Sequence, residues 1–210
     1  MKMFYPIYLN LADRRVVVIG GGEVAERKIE SLLGTGAFIK VVSPEVTAGI
    51  LVLAAEKRID LHRKPYEPGD CLDAVLVLSA SDDPAVSRAV FEDARKCGAL
   101  VNTADQAGLC DFIMPAIVRR GNVAIAISTS GTSPGLAARL RQKIGRLIGP
   151  EYGRLAQLLS EARPQIRQRV PQEADRKALQ YRILDSDIMK YLEENDIAGA
   201  RRRLREIIES

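Results

Sequence analysis

Apolar runs alternate with helical stripes along the first half of the chain. Runs that suit buried strands cover residues 16–19, 38–43, 59–62, 74–78 and 99–102. After the first run, apolar residues recur at helical spacing at Ala25, Ile29, Leu32 and Leu33. Apolar strands that alternate with helices are typical of a parallel sheet covered on both faces. The pattern therefore predicts an α/β fold with a parallel sheet over residues 16–102.

The pattern changes in the second half. Strands are predicted over 112–120 and 123–128, joined by Gly121-Asn122, which is a hairpin signal. Because this hairpin lies outside the alternating unit, we expect a separate small sheet whose edges a second subunit could cover. The rest reads as helices from Ser133 onwards, and Pro164 predicts a kink or a break in one of them.

The turn Gly20-Gly21-Gly22 joins the first strand to the first helix. With Ala25 it fits the spacing G-x-G-x-x-G/A of a dinucleotide-binding turn. Gly20 would allow the tight turn, and Gly22 would leave room for a pyrophosphate that a Cβ would block. The helix N-terminus offers N–H groups and partial positive charge to phosphates. The alternative is a glycine-rich connection that binds nothing.

Polar residues follow the other strands at the same predicted sheet edge, where ligands of such sheets bind. An acid about 20 residues after the glycines normally binds the ribose of NAD. Glu45 lies 23 residues after Gly22, slightly late, while Ser43 takes the expected place. No arginine follows to pair with a 2′-phosphate, so NAD is favoured over NADP. Alternatively, Glu45 only complements the dipole of the next helix.

Asp105 is the candidate for chemistry. It follows the fifth predicted strand, three residues after Asn102. A carboxylate at this edge could act as a general acid or base near a nicotinamide. The alternative is a loop residue that forms an Asx turn.

Composition narrows the class of protein. The 210 residues suit one large domain, or one medium domain with an appendage. No apolar run reaches the roughly 18 residues of a membrane span, and the N-terminus lacks signal-peptide features, so a cytoplasmic protein is expected. Cys71, Cys97 and Cys110 are unclustered and His62 is the only histidine, so neither a disulfide framework nor a Cys/His metal site is expected.

The net charge of +4 is modest, but arginine is dense after residue 138. Interleaved acids make most of these arginines read as solvated helix faces. As a group they could hold an anionic partner. No DNA-reading motif accompanies them, so neither nucleic acid nor a membrane is expected as a partner.

Several stretches together resemble the precorrin-2 dehydrogenase family, which also forms the N-terminal module of siroheme synthase. They cover residues 18–28, 102–105, 112–117 and 130–134. Their order and spacing are specific, and the resemblance spans nearly the whole chain, being loosest past about residue 150. The resemblance is to the stand-alone form of the family, which lacks the methyltransferase domain of fused relatives. Another protein would therefore methylate uroporphyrinogen.

The resemblance implies a Rossmann-type NAD-binding domain over 1–113, a small β/α dimerisation region over 114–149 and an all-helical C-terminal domain over 150–210. It implies a homodimer that oxidises precorrin-2, a tetrapyrrole, to sirohydrochlorin with NAD. Some members also insert ferrous iron, with the macrocycle nitrogens as ligands, to give sirohaem. A Cys/His cluster is therefore not required for chelation.

The resemblance also implies site residues. Asp105 takes the position of the aspartate linked to catalysis, where it could accept the proton that leaves the macrocycle. The predicted cofactor-binding residues are Gly20, Gly22, Glu23, Val24, Pro44, Glu45 and Ser81. The predicted substrate-binding residues are Asn102, Arg119 and Arg139. Arg120 and the C-terminal arginines are further candidates for the cationic walls that a polycarboxylate needs.

Two other interpretations stay open. A different NAD-dependent dehydrogenase would share the glycine turn but not the downstream stretches. A non-enzymatic NAD(H)-sensing regulator would pair the Rossmann unit with a basic helical domain that binds a partner.

Overall fold

A computed structural model describes residues 3–104 and 106–210. The chain divides into two compact units, 1–114 and 115–210. Within the described ranges, every helix is too short or too polar to cross a membrane.

The first unit contains a five-stranded parallel sheet in the order β3-β2-β1-β4-β5. Its strands are β1 (Arg15–Ile19), β2 (Phe38–Val42), β3 (Asp60–His62), β4 (Ala74–Ser79) and β5 (Leu100–Thr103). Its helices are α1 (Glu23–Leu32), α2 (Ala48–Ala55) and α3 (Pro84–Lys96), and a 3₁₀ turn covers Ala107–Leu109. The predicted Rossmann-type sheet is confirmed.

Strand β1 shows why the strands contain apolar runs. Val16 and Val18 join a core on one face of the sheet, whereas Val17 and Ile19 join a second core on the other face. Successive side chains of a strand point to opposite faces, so a strand that is covered on both sides is apolar at successive positions rather than at alternate ones. Helix α1 packs into the first of these cores through Ala25 and Ile29.

The strand order reverses between β1 and β4, since β2 lies on one side of β1 and β4 on the other. Ile19 pairs with Val42 and with Ser79, and Ser79 pairs with Thr103. These strands therefore end together at one edge. The carboxyl ends of strands at such a switch point form the ligand crevice of open α/β sheets.

The second unit begins with an antiparallel hairpin and continues as helices. Its elements are β6 (Ala116–Arg120), β7 (Val123–Ile127), α4 (Pro134–Leu147), α5 (Pro150–Arg169), α6 (Glu173–Leu184), α7 (Ile188–Glu193) and α8 (Ile197–Glu209). Ser133 caps α4 by accepting a hydrogen bond from the Leu136 N–H at 3.2 Å. One core, to which Leu155, Ile183 and Leu192 contribute, joins α5 to α8. The predicted order of hairpin, helix and helical C-terminal part is confirmed.

The structure differs from the sequence prediction in two segments. The strand predicted over 112–120 begins only at Ala116. The Phe112 carbonyl accepts a hydrogen bond from Asn102 Nδ2 at 2.9 Å, and Pro115 has no N–H to donate. Pro164 lies inside α5, which continues to Arg169. The predicted strand start was therefore wrong, and the helix does not break at its proline.

Candidate functional site

Gly20 makes the turn that follows β1. Its φ is +114°, in the region that favours glycine. A Cβ on Gly20 would lie 2.4 Å from the Ala80 carbonyl oxygen. The turn thus packs directly on the backbone that leaves β4, and only glycine meets both requirements.

Gly21 and Gly22 have opposite surroundings. A Cβ on Gly21 would lie 2.0 Å from the Glu45 carbonyl oxygen, and the Gly21 carbonyl accepts a hydrogen bond from the Thr47 N–H at 2.9 Å. A Cβ on Gly22 would meet nothing within 4 Å. Gly21 is therefore required for packing inside the protein, whereas Gly22 borders open space.

Sequence reasoning missed Gly21, because the dinucleotide-binding spacing accepts any residue there. The signal that could have revealed it is the unbroken run of three glycines.

The N-terminus of α1 is open. Gly22 is the N-cap residue, and no side chain hydrogen-bonds there among the described residues. Glu23 and Val24 follow in the first turn and are exposed. Backbone N–H groups of a first helical turn have no partner within the helix. The predicted cofactor residues Gly22, Glu23 and Val24 thus form a surface that suits an anion.

Pro44 and Glu45 lie between β2 and α2 and are exposed. The Ser43 hydroxyl donates to the Glu45 carbonyl oxygen at 2.6 Å, which holds this connection. Thr47, not Glu45, caps α2, since its hydroxyl accepts from the Ile50 N–H. The carboxylate of Glu45 is therefore not engaged as the cap of the following helix.

Two buried hydroxyl groups lie where β4 and β5 end. Ser79 and Thr103 are paired in register, and neither hydroxyl oxygen has a hydrogen-bond partner in the described part of the chain. Ser81 follows on the connection to α3, where its Oγ accepts from the Asp83 N–H at 3.2 Å. Buried polar groups without partners are rare and often accompany functional sites.

Asn102 occupies the end of β5 and is buried. Its Oδ1 accepts a hydrogen bond from Lys28 Nζ at 2.7 Å, and its Nδ2 donates to the Phe112 carbonyl oxygen at 2.9 Å. Both the oxygen and the nitrogen of its side-chain amide are thus hydrogen-bonded within the protein. The predicted contact of Asn102 with substrate stays a prediction. Asp105, the predicted catalytic residue, lies outside the described residues.

The predicted substrate arginines lie in the second unit. Arg119 and Arg139 are exposed. Arg120 differs from the prediction, because its guanidinium donates to the carbonyl oxygens of Ile148 at 2.9 Å and Gly145 at 2.7 Å. Arg120 therefore holds the C-terminal end of α4.

Many of the C-terminal arginines contact acids or backbone. Arg201 pairs with Glu161 at 2.7 Å, and Arg203 pairs with Asp187 at 2.7 Å. Four cations line a groove of about 920 Å³ between α5 and α6, together with the acidic residue Glu173. These cations are Arg163, Arg167, Arg176 and Lys177. One of them, Arg176, also donates to the Val170 carbonyl oxygen at 3.0 Å. Sequence reasoning grouped the arginines but did not find this groove.

The strongest pKa shifts belong to groups that hold the fold. Burial raises the pKa of the Cys71 thiol to about 12, so this thiol stays protonated at neutral pH. Burial also opposes ionisation of Asp70, but hydrogen bonds from Lys40 and Lys64 outweigh it and lower the pKa of Asp70 to about 2. In the described ranges, no three His, Cys, Asp or Glu side chains cluster as a metal site.

The strand order, the positive φ of Gly20 and the open helix N-terminus at Gly22 define a Rossmann dinucleotide-binding protein. A family model for NAD(P)-binding matches residues 7–116. Models for the central region of sirohaem biosynthesis proteins and for the sirohaem synthase dimerisation region match 120–147 and 151–208. The chain belongs to the family that these models define, the NAD(P)-binding proteins of sirohaem biosynthesis.

The curated relatives are named siroheme synthase. The chain is 43% identical over 164 residues to siroheme synthase of Methylobacillus flagellatus, covering 78% of the chain and 35% of the relative. It is 40% identical over 185 residues to that of Nitrosospira multiformis, covering 86% of the chain and 39% of the relative. The chain thus spans about two fifths of the length of these relatives.

A solved structure matches nearly the whole chain. SirC, a precorrin-2 dehydrogenase, is 29% identical, with a TM-score of 0.79 over 97% of this chain and 100% of the SirC chain. The alternative of a regulatory protein receives no support from these matches.

Proposed function

We propose that this chain catalyses the NAD-dependent dehydrogenation of precorrin-2 to sirohydrochlorin. The observation that carries the proposal is the likeness to SirC over 97% of the chain. The open turn at Gly22 supports it independently, because a dinucleotide needs this close approach to the backbone.

The sheet edge fits the cofactor. We assign the pyrophosphate to the N–H groups of Glu23 and Val24 above the open space at Gly22. We assign the exposed carboxylate of Glu45 to the ribose hydroxyls, from which it would accept hydrogen bonds. It would repel a 2′-phosphate, which favours NAD. Pro44 and Ser81 complete the predicted contacts. NAD supplies the hydride acceptor when it is bound.

Asp105 serves as the base in this proposal. Loss of a hydride equivalent from precorrin-2 is accompanied by loss of a proton, and a carboxylate in this loop can accept it. Arg119 and Arg139 are exposed and carry the charge that the substrate carboxylates need. The resemblance implies that some members of the family also insert ferrous iron, and this reaction is assayed separately.

We further propose a cytoplasmic homodimer. The match of residues 151–208 to a dimerisation region supports a contact between copies in the helical part. The division into 1–113, 114–149 and 150–210 stays a prediction.

An anaerobic assay tests the function. Purified chain is mixed with precorrin-2 and NAD, and the absorbance of sirohydrochlorin and of NADH is followed. We expect both products to form in equal amounts, and their absence with the folded wild-type chain would refute the proposal. Repeating the assay with ferrous iron separates a dehydrogenase from a bifunctional enzyme.

Asp105→Ala tests the catalytic assignment. A lost general base lowers kcat by about 10²–10⁴-fold, whereas the NAD dissociation constant should stay within about twofold because the glycine turn is untouched. Unchanged turnover would show that Asp105 is not the base.

A further inference from the structure

We propose that Lys28 is a positioning residue that ties the nucleotide-binding helix α1 to the loop carrying Asp105. This inference rests on the proposed function. It concerns the hydrogen bond between Lys28 Nζ and Asn102 Oδ1, 2.7 Å long, which joins residues 74 positions apart in sequence.

The two residues belong to the two halves of the proposed site. Lys28 lies in α1, the helix that begins at the glycine turn, and it is half-buried. Asn102 lies in β5, at the end of which the Asp105 loop begins. Helix α1 follows β1, and β4 lies between β1 and β5 in the sheet. The side-chain hydrogen bond therefore links α1 to a strand that is not a neighbour of β1.

The chemistry of the partners fixes which way the Asn102 amide faces. A lysine ammonium can only donate, and the Phe112 carbonyl oxygen can only accept. The Oδ1 of Asn102 must therefore face Lys28, while its Nδ2 faces Phe112, as the distances of 2.7 Å and 2.9 Å show. Without the ammonium, a buried carbonyl oxygen would lose its charged donor. The Lys28 ammonium thus holds the side-chain amide of Asn102 in one orientation.

Asn102 in turn holds the base of the loop. Its backbone forms an antiparallel bridge with Cys110, and the Asp111 N–H donates to the Val101 carbonyl oxygen at 2.8 Å. The Cys110 Sγ accepts from the Thr103 N–H at 3.3 Å and donates to the Thr103 carbonyl oxygen at 3.2 Å. The chain is therefore held together at Thr103 and Cys110, and Asp105 lies between these two residues in the sequence.

The consequence is a link between the cofactor and the base. The phosphates of a nucleotide would bind at the first turn of α1, and Lys28 lies in the same helix. A displacement of about 1 Å at a reacting group can lower a rate by about 10²-fold. Loss of Lys28 should therefore reduce catalysis without reducing the binding of NAD.

The test uses the full chain and three variants. Lys28→Met removes the donor and the charge, Lys28→Arg keeps both, and Lys96→Met is the matched control on α3, where Lys96 is exposed. We measure kcat, the KM for precorrin-2, the dissociation constant for NAD and the melting temperature. We expect Lys28→Met to lower kcat by about ten- to a hundredfold, with NAD affinity within about twofold. Lys28→Arg should recover most of kcat, and Lys96→Met should match the wild type.

A double variant separates positioning from a direct effect. If Lys28 acts through the Asp105 loop, Lys28→Met should not slow the residual reaction of Asp105→Ala further. The same fold-loss in both backgrounds would overturn the inference, since Lys28 would then act independently of Asp105.

Further outcomes keep the two proposals apart. Wild-type kcat in folded Lys28→Met, with Asp105→Ala slowed as expected, would overturn the inference and leave the proposed function standing. Absence of turnover in the wild type would refute the function itself. If Lys28→Met does not fold, Lys28→Leu replaces it, because leucine also has no donor and is a strong helix former. Full kcat in folded Lys28→Leu and a lowered kcat in folded Lys28→Arg would each overturn the inference.

Discussion

The two units of the chain differ in their buried polar side chains, which among the described residues lie in the first unit. In the first unit, Asp70 and Asn102 are buried and each contacts a lysine, at 2.8 Å and 2.7 Å. In the second unit, Arg201 and Glu161 form a pair whose side chains are 50% and 41% exposed. The second unit has the higher density of arginine, yet its charges lie mostly on solvated helix faces.

This difference teaches that position in the topology, more than charge density, indicates where a site lies. The sheet edge is a site candidate because parallel strands end together there and glycines leave room for a ligand. Exposed ion pairs contribute little and are readily exchanged, so an arginine-rich helix indicates no site by itself.

The largest expected effect is on the buried charge of the first unit. Asp70→Ala leaves Lys40 without its buried partner and should lower the free energy of unfolding by about 4 kcal/mol. The matched control is Asp73→Asn, since Asp73 pairs with Arg15 at 3.8 Å on the surface and should change stability by less than about 0.5 kcal/mol. Urea unfolding followed by circular dichroism measures both. Equal effects would remove the contrast between buried and exposed charges.

The same carboxyl predicts a pH dependence. The folded pKa of Asp70 is about 2, below the value near 4 of an unfolded aspartate. Its contribution is therefore complete above about pH 4 and is lost as the pH falls towards 2. Asp70→Ala should unfold with a weaker pH dependence in this window than the wild type. Parallel curves for the two chains would contradict the assignment.

A smaller effect separates the two adjacent glycines of the sheet edge. Gly21→Ala places a Cβ against the Glu45 carbonyl and should lower the free energy of unfolding by about 3 kcal/mol. Gly22→Ala meets open space, so stability should stay within about 1 kcal/mol. NAD affinity should nevertheless fall at least about tenfold in Gly22→Ala, equivalent to about 1.4 kcal/mol. Calorimetric titration checks this, and unchanged affinity would place the pyrophosphate elsewhere.

The smallest effect tests the second unit. Arg120→Ala removes charge-assisted hydrogen bonds to the Gly145 and Ile148 carbonyls and should lower the free energy of unfolding by about 2 kcal/mol. Arg201→Ala, on the surface, should change it by less than about 0.5 kcal/mol. If Arg201→Ala were the more damaging variant, the exposed pairs would have to be regarded as structural.

Much of the sheet edge was predictable from local patterns. The apolar runs predicted all five strands of the parallel sheet, because a strand covered on both faces is mostly apolar along its length. Gly20 was predictable as a turn residue because the tight turn requires a conformation that glycine adopts readily. Ser133 and Pro134 likewise marked the start of α4.

Other features depended on contacts between distant residues. The partner of Asn102 is Lys28, and nothing in the local sequence of either residue indicates the other. The strand predicted from Phe112 failed because the Phe112 carbonyl is bonded to Asn102, ten residues earlier. Helix α5 runs past Pro164, where the packing of Ala162 and Ile166 in the helical core overrides local propensity.

The sequence by itself determined the class of fold, the glycine turn and the stretches that mark the family, because these depend on local periodicity and on residue types that few conformations accept. The tertiary structure decided which glycine packs inside the protein and which borders open space, and which arginines are engaged. It also brought Lys28 to Asn102. Such choices depend on which groups meet after the chain has folded, and burial then makes each unpaired polar group unfavourable.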